Sequence, residues 1–158
     1  MTSQQQSIRL TVNGEAVECQ VPVRLSLVDF LRTDLGLTGS HIGCEHGVCG
    51  ACTLFVDGAP VRGCLMLAVQ ADGTEVVTIE GLADSGRGEA LRQAFHKRNA
   101  LQCGFCTPGM LASALDYVEQ GGTADRQAIR EHLSGNYCRC TGYQAIVDAV
   151  CDVIEGRS

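Results

Sequence analysis

The cysteines constrain this chain more than any other feature. The sequence has ten of them among 158 residues, and eight fall into two sets of four. The first set has the spacing C-x4-C-x2-C-x11-C and the second has C-x2-C-x31-C-x-C. Four thiolates are enough to hold one metal centre, so the chain is expected to fold around two such centres. The first quartet is Cys44, Cys49, Cys52 and Cys64, and the second quartet is Cys103, Cys106, Cys138 and Cys140.

Composition argues against several other classes of protein. No run of residues approaches the ~18 apolar positions of a membrane span, and the first residues lack the pattern of a secretory signal. Twelve Lys and Arg face 18 Asp and Glu, giving a net charge of −6, which argues against nucleic acid as a partner. A cytoplasmic location is therefore expected. Thiols stay reduced there, so metal ligation is favoured over disulfides.

The first half of the chain has the pattern of a small mixed sheet. Alternating apolar residues flank Asn13-Gly14, and a second hairpin signal follows at Asp57-Gly58. Between them, Ser26 has the sequence context of a helix N-cap, and Gly36 ends the apolar helical pattern. A last strand is expected over 75–79. These elements predict an α+β domain over residues 1–80.

The second half has a helical period. A polar, glycine-containing stretch at 81–88 is interpreted as a linker, and residues 89–158 as a separate helical domain. Apolar spacing predicts four helices there, at 89–99, 108–119, 124–133 and 143–154. Cys151 lies on the apolar stripe of the last helix and Cys19 on the buried face of a strand. Both are interpreted as small hydrophobic residues outside the quartets.

The first quartet has the spacing of the plant-type 2Fe-2S ferredoxin loop. Three ligands within nine residues require the chain to wrap tightly around an inorganic core. Glycine permits such wrapping because it tolerates positive φ and lets backbone N–H groups approach sulfur. The loop contains four of them: Gly39, Gly43, Gly47 and Gly50.

The second quartet is placed by the sequence at two predicted helix starts. Cys103 and Cys106 precede Thr107-Pro108, an N-cap candidate with proline at the first helical position. Cys138 and Cys140 precede Thr141-x-x-Gln144, which has the pattern of a capping box. Helix N-termini favour anionic thiolates. A second binuclear cluster held at helix starts is therefore predicted.

Three longer motifs surround the cysteines. They are Gly43-Cys44-x4-Cys49-Gly50-Ala51-Cys52, Gln102-Cys103-Gly104-Phe105-Cys106-Thr107-Pro108-Gly109 and Asn136-x-Cys138-Arg139-Cys140-Thr141-Gly142-Tyr143. Together they resemble the iron–sulfur subunit of the xanthine dehydrogenase, or molybdenum hydroxylase, family, which includes carbon monoxide dehydrogenase and the quinoline, isoquinoline and aldehyde oxidoreductases. The resemblance covers about residues 7 to 155 and preserves the order of the motifs.

The resemblance implies a plant-ferredoxin-like β-grasp domain followed by a C-terminal four-helix bundle, each holding one 2Fe-2S cluster. It implies that Gln102 and Cys140 approach the molybdopterin of a large subunit, and that the first quartet faces FAD in a medium subunit. The chain would relay electrons from molybdopterin through both clusters to FAD. Family members that are single fused chains continue into the flavin and molybdenum domains. This sequence stops at Ser158, so those parts are expected to be separate polypeptides. The resemblance implies their assembly as a dimer of heterotrimers.

Other interpretations compete with this one. Either quartet could hold structural zinc, which would make the chain an interaction module without a redox role. Cys103 and Cys106 could form a thioredoxin-like pair, although that motif belongs with a βαβ pattern. A freestanding two-cluster carrier that docks transiently is the main alternative to a subunit of an enzyme.

Overall fold

A computed structural model describes residues 4–157. Its first part is a mixed five-stranded sheet in the order β2-β1-β5-β3-β4, with β1 parallel to β5 and the other neighbours antiparallel. One helix, α1, lies between β2 and β3 in the chain. This is the α+β, ferredoxin-like arrangement that the sequence predicts. The elements are β1 Gln5–Val12, β2 Glu15–Pro22, α1 Leu27–Thr33, β3 Thr53–Val56, β4 Ala59–Arg62 and β5 Glu75–Val77.

Local signals of the first half are confirmed. Asn13 and Gly14 both have positive φ, as the tight β1–β2 turn requires. The Ser26 hydroxyl accepts a hydrogen bond from the Asp29 amide at 3.1 Å and so caps α1. Phe30 on α1 is fully buried and packs with the inward-facing side chains of the sheet.

The second part of the chain is helical. After α2, the helices α3 and α6 pack against each other, α4 contacts both, and α5 packs against α4 and α6. The predicted helices are confirmed with ends shifted by one to two residues. Among residues 4–157, no helix has the length and apolar character needed to cross a membrane. The bounds are α2 Ile79–Asp84, α3 Glu89–Lys97, α4 Thr107–Glu119, α5 Arg126–His132 and α6 Gln144–Ile154, with 3₁₀ turns at Ala68–Ala71 and Leu133–Gly135.

The stretch predicted as a linker is partly helical. Helix α2 begins at Ile79, where the sequence suggested the end of a strand, and covers the first half of 81–88. Leu82 is 4 % exposed and belongs to the core of the helical part. Its burial stabilises a helical turn in a segment whose composition is otherwise that of a loop.

The two parts meet along β3 and α4. Phe55 on β3 is buried with the apolar residues of the helices rather than with those of the sheet. At Gly109, in the first turn of α4, an added Cβ would lie 2.1 Å from the carbonyl oxygen of Gly50. The backbone of α4 therefore lies directly on the backbone of the loop that carries the first quartet.

An ion pair between α3 and α6 gives a testable contribution to stability. Arg98 donates to both carboxylate oxygens of buried Asp152, at 2.5 and 2.7 Å. These hydrogen bonds hold the pKa of Asp152 below its usual range. A lowered pKa contributes stability above the usual pKa of the group, and that stability is lost as the pH falls through the lowered pKa. Asp152→Asn should therefore lower the thermal midpoint by several degrees.

The pH dependence is the check on that prediction. Asp152 stays ionised throughout the neutral range, so the deficit of Asp152→Asn should be equal at about pH 6 and about pH 8. Midpoints from circular dichroism at both values measure it. A deficit that shrinks between these values would contradict the assignment.

Candidate metal centres

The first quartet lies in the loop between α1 and β3, except for Cys64, which follows β4. The sulfurs come together in pairs, Cys44 with Cys49 and Cys52 with Cys64. The Cys49 amide donates to the Cys44 sulfur at 3.4 Å. With further hydrogen bonds from the loop backbone, it lowers the pKa of Cys44 to about 6. The loop therefore favours a thiolate at this position.

The pKa of Cys52 is shifted in the opposite direction from that of Cys44. It is 2 % exposed, and its burial, together with the neighbouring sulfurs of Cys64 and Cys49, raises its pKa to about 11. Four thiolates in this space therefore need a compensating positive charge. An iron core would supply that charge, and the thiol protons would leave as it bound.

Glycine is required at two positions of the loop. Gly47 and Gly50 have φ of +82° and +73°. A Cβ at Gly47 would lie 2.3 Å from Leu65, and one at Gly50 would lie 2.6 Å from the carbonyl oxygen of Gly135. The positive φ disfavours a side chain at both positions, and at Gly50 the neighbouring backbone also leaves no space for one, as expected of a loop wrapped closely around a bound group.

The second quartet is built from two short segments that the helices bring together. Cys106 is the N-cap of α4, one residue earlier than predicted. Cys138 and Cys140 precede α6. Their sulfurs also pair across the segments: the Sγ atoms of Cys103 and Cys140 are 3.6 Å apart, and Cys106 lies beside Cys138.

The capping box predicted at Thr141 is wrong. Helix α6 begins at Gln144, and its N-cap is Tyr143 in the left-handed conformation. The Thr141 hydroxyl instead donates to the Cys138 sulfur at 3.1 Å, and the Thr141 amide does so at 3.4 Å. Thr141 therefore donates hydrogen bonds to the Cys138 sulfur. It does not cap α6, because the chain makes a further turn between Cys140 and the first residue of that helix.

These contacts set the acidity of the second quartet. Burial raises the pKa of Cys138, but the hydrogen bonds from Thr141 outweigh it and the net shift is downward. Burial and the neighbouring sulfurs raise the pKa of Cys106 to about 12. Each quartet thus combines a thiol whose pKa is lowered by hydrogen bonds with a thiol whose pKa is raised by burial and by neighbouring sulfurs.

The pairing of the sulfurs favours a core with two metal ions over a single ion. All ten cysteines are free thiols. Within residues 4–157, no three Cys, His, Asp or Glu side chains converge on a point that a single ion could occupy. Two pairs of sulfurs in each quartet instead match a core with two irons, each bound by two thiolates. The residues present therefore fit a 2Fe-2S cluster better than tetrahedral zinc.

Gln102 and Cys140 lie together at the surface. The Gln102 amide nitrogen donates to the Cys140 carbonyl oxygen at 3.1 Å, and both residues are exposed. Phe105 is nearby, 48 % exposed, with its ring stacked on His41 at 4.7 Å between centroids. Near the first quartet, Leu65 is 62 % exposed. Large apolar side chains are therefore exposed beside both quartets.

Sequence reasoning missed the residue that joins the two centres. Asn136 was noticed only as part of a motif, yet it is 2 % exposed and its side chain contacts the loops of both quartets. The available signal was a polar residue between glycine and the cysteine pair, a position where side chains usually face water. The partner carbonyls are distant in sequence and could not be identified from it.

Comparison with known families accounts for both halves of the chain. Residues 10–78 match a 2Fe-2S iron-sulfur cluster binding domain, and residues 78–151 match a second 2Fe-2S binding domain. The chain therefore has two domains of the kind that the two quartets predicted.

Similar proteins extend over nearly the whole chain. The caffeine dehydrogenase subunit gamma of Pseudomonas sp. (strain CBB1) is 56 % identical over 92 % of this chain and 89 % of its own length. The nicotine 6-hydroxylase small subunit of Paenarthrobacter nicotinovorans is 52 % identical over 92 % of this chain and 87 % of its own. A crystal structure of quinoline 2-oxidoreductase from Pseudomonas putida 86 has a chain that is 49 % identical, with a TM-score of 0.90, 98 % of this chain and 97 % of that chain being covered. The protein belongs to the 2Fe-2S iron–sulfur subunits of the molybdenum hydroxylase family.

Proposed function

We propose that this chain is the electron-transfer subunit of a molybdenum-containing hydroxylase or dehydrogenase. In this proposal the first quartet holds one 2Fe-2S cluster in the ferredoxin-like domain, residues 1–80, and the second holds another in a four-helix bundle, residues 89–158. The observation that carries the proposal is the convergence of eight cysteines into paired quartets in two adjoining domains. The relatives' names as subunits support a multi-subunit enzyme.

When bound, each cluster supplies a one-electron carrier. The chain itself holds four thiolates around each cluster. It directs backbone N–H groups at Cys44 and hydrogen-bond donors at Cys138, and it keeps Cys52 away from water. Hydrogen bonds to sulfur and solvent exposure are the means by which a protein sets a cluster's potential. Substrate chemistry belongs to another subunit, since the chain's own contribution is position and tuning.

The exposed residues beside each quartet support an orientation of this chain between its two proposed partners. Gln102 and Cys140, with exposed Phe105 beside them, form the surface proposed to face molybdopterin in a large subunit. The loop of the first quartet, with exposed Leu65, is proposed to face FAD in a medium subunit. A dimer of such heterotrimers is the proposed assembly. The two surfaces lie on different domains, which suits a relay between two cofactors.

Composition and partners of the purified protein test the proposal. The complex should contain about four irons and about four acid-labile sulfides per copy of this chain, with visible absorption that bleaches with dithionite. It should also contain flavin and molybdenum in other chains. A colourless protein with bound zinc would contradict the cluster assignment. A coloured protein that purifies alone would favour the freestanding carrier.

Single substitutions on the two surfaces should separate the two partners. Phe105→Ser removes an exposed aromatic contact beside the second quartet, and Leu65→Ser removes an apolar contact beside the first. Each should weaken binding of its own partner about tenfold, because central apolar anchors carry much of the energy of an interface. Titration of the reconstituted subunits measures both affinities.

Each of these variants is the control for the other. Phe105→Ser should weaken binding of the molybdenum subunit far more than binding of the flavin subunit, and Leu65→Ser should have the opposite preference. An equal loss of both affinities in either variant would indicate a folding defect. Reversal of the two effects would overturn the proposed orientation.

A further inference from the structure

The side chain of Asn136 forms hydrogen bonds to both parts of the molecule at the place where the two domains meet. Its amide nitrogen donates to the carbonyl oxygens of Gly50 at 3.1 Å and Gly109 at 3.0 Å. Its amide oxygen accepts from the Ser113 hydroxyl at 2.8 Å and from the Arg62 guanidinium at 3.4 Å. Because the group is buried, each of these contacts replaces one with water and fixes the orientation of the amide.

These contacts reach three of the segments that carry cysteines. Gly50 directly follows Cys49 in the first quartet, and Gly109 lies in the turn of α4 that Cys106 caps. Asn136 itself is two residues before Cys138. A single side chain thus connects the ferredoxin-type loop to both segments of the second quartet.

A backbone hydrogen bond lies beside these contacts, and we call the whole set the Asn136 joint. The Tyr137 amide donates to the Cys49 carbonyl oxygen at 2.8 Å. A Cβ at Gly50 would lie 2.6 Å from the Asn136 amide nitrogen, and one at Gly109 would lie 2.1 Å from the Gly50 oxygen. The joint is therefore packed backbone against backbone, without a flexible side chain between the two loops to absorb a displacement.

Arg62, on β4 of the sheet, forms further hydrogen bonds to the joint. Its guanidinium donates to the Gly135 carbonyl oxygen at 2.8 Å and to the Thr53 hydroxyl. Thr53 in turn donates to the Gly50 carbonyl oxygen at 2.6 Å. The network thus begins on β3 and β4 and ends at the cysteine-bearing loops of the other domain.

We propose that Asn136 is a positioning residue that fixes the spacing between the two cysteine quartets. The inference rests on the proposed ligands and adds how their relative position is held. Without the amide, the Gly50 carbonyl oxygen keeps its hydrogen bond from Thr53, but the Gly50 and Gly109 oxygens lose the donor that links them to each other, which favours opening of the joint to water. The expected result is a changed distance between the two centres in molecules that still hold both.

The test compares Asn136→Asp and Asn136→Ala with wild type in the intact complex. Asp keeps the shape of the side chain but replaces its two N–H donors with an oxygen that faces two carbonyl oxygens. Both variants are reduced with dithionite, and electron paramagnetic resonance measures the magnetic interaction between the two reduced centres, which depends steeply on their separation. Iron and sulfide contents are measured on the same samples.

Two further variants separate positioning from stability. Ser113→Ala removes only a hydrogen bond that orients the amide, so a smaller change in the same direction is expected. Asn13→Ala is the matched control, because its amide makes two hydrogen bonds to Thr78 away from both quartets. It should lower the thermal midpoint and leave the magnetic interaction unchanged.

The inference is supported if Asn136→Asp retains its iron but loses or shifts the magnetic interaction. It is overturned if the interaction in molecules holding both clusters equals that of wild type, including the case in which the variants only lose iron. A wild-type complex without any interaction overturns it as well. Wild type with iron for fewer than two clusters would instead refute the proposed ligands.

Discussion

Cys106→Ala is expected to remove one of the two clusters and leave the other. Iron should fall from about four to about two per chain, and visible absorption by about half, because three thiolates do not complete the second core. Alanine suits the test because it cannot act as a ligand as serine could, and it fits a site that is already largely buried. Electron transfer to acceptors reached through flavin should fall to background. Metal analysis and steady-state assays with such acceptors provide the measurements.

Cys19→Ser is the matched control for that experiment. Cys19 lies on β2 opposite Ile8, outside both quartets, so its replacement should leave iron, spectrum and turnover unchanged. If Cys106→Ala kept its full iron content, the proposed second quartet would be wrong. Retention of about two irons also shows that the variant is folded, because the first quartet then still binds its cluster.

Gly109→Ala is expected to destabilise the protein strongly. Helix propensity alone predicts a gain of about 1 kcal/mol for this change within α4. The added methyl group would instead lie 2.1 Å from the Gly50 carbonyl oxygen and 3.0 Å from that of Ala51. Both contacts are to backbone, which has little freedom to move, so a loss of about 3 kcal/mol is expected. Thermal unfolding of the loaded protein should show a midpoint lower by roughly 10 °C.

Gly121→Ala provides the comparison for that change. Gly121 follows the same helix, has φ of +76° and has no heavy atom within 4 Å of an added Cβ. It should cost only the strain of a left-handed alanine, about 1 kcal/mol. Equal effects of the two substitutions would show that contact with the ferredoxin-type loop is unimportant. A more stable Gly109→Ala would show that the two backbones are farther apart.

Local sequence signals predicted most of the fold. The Ser26 cap, the hairpin at Asn13 and the amphipathic stripe of α6 are each determined by a few neighbouring residues, and each was found where expected. Helix α2 was not, because the burial of Leu82 depends on helices that come later in the chain. The segment is polar in composition, whereas its packing depends on the apolar side chains of Ile79 and Leu82.

The sequence predicts the cysteines of the candidate site but not the residues that hydrogen-bond to them. Cysteine spacing identified both quartets, and the structure brings the members of each together in pairs. The assignment of these residues as cluster ligands stays a prediction, as do the domain boundaries and the cytoplasmic location. Thr141 was given a capping role because its spacing to Gln144 fits one, but its hydroxyl is used by a nearer acceptor, the Cys138 sulfur.

The long sequence separation within the Asn136 joint affects how the protein is made. Gly50 and Asn136 are 86 positions apart, so during synthesis the ferredoxin-type loop leaves the ribosome well before its partner. Contacts between distant positions close late, because the intervening chain must be ordered first. The loop is therefore without its Asn136 contact until the helical domain has been synthesised, and we expect the contact between the two domains to form late in folding.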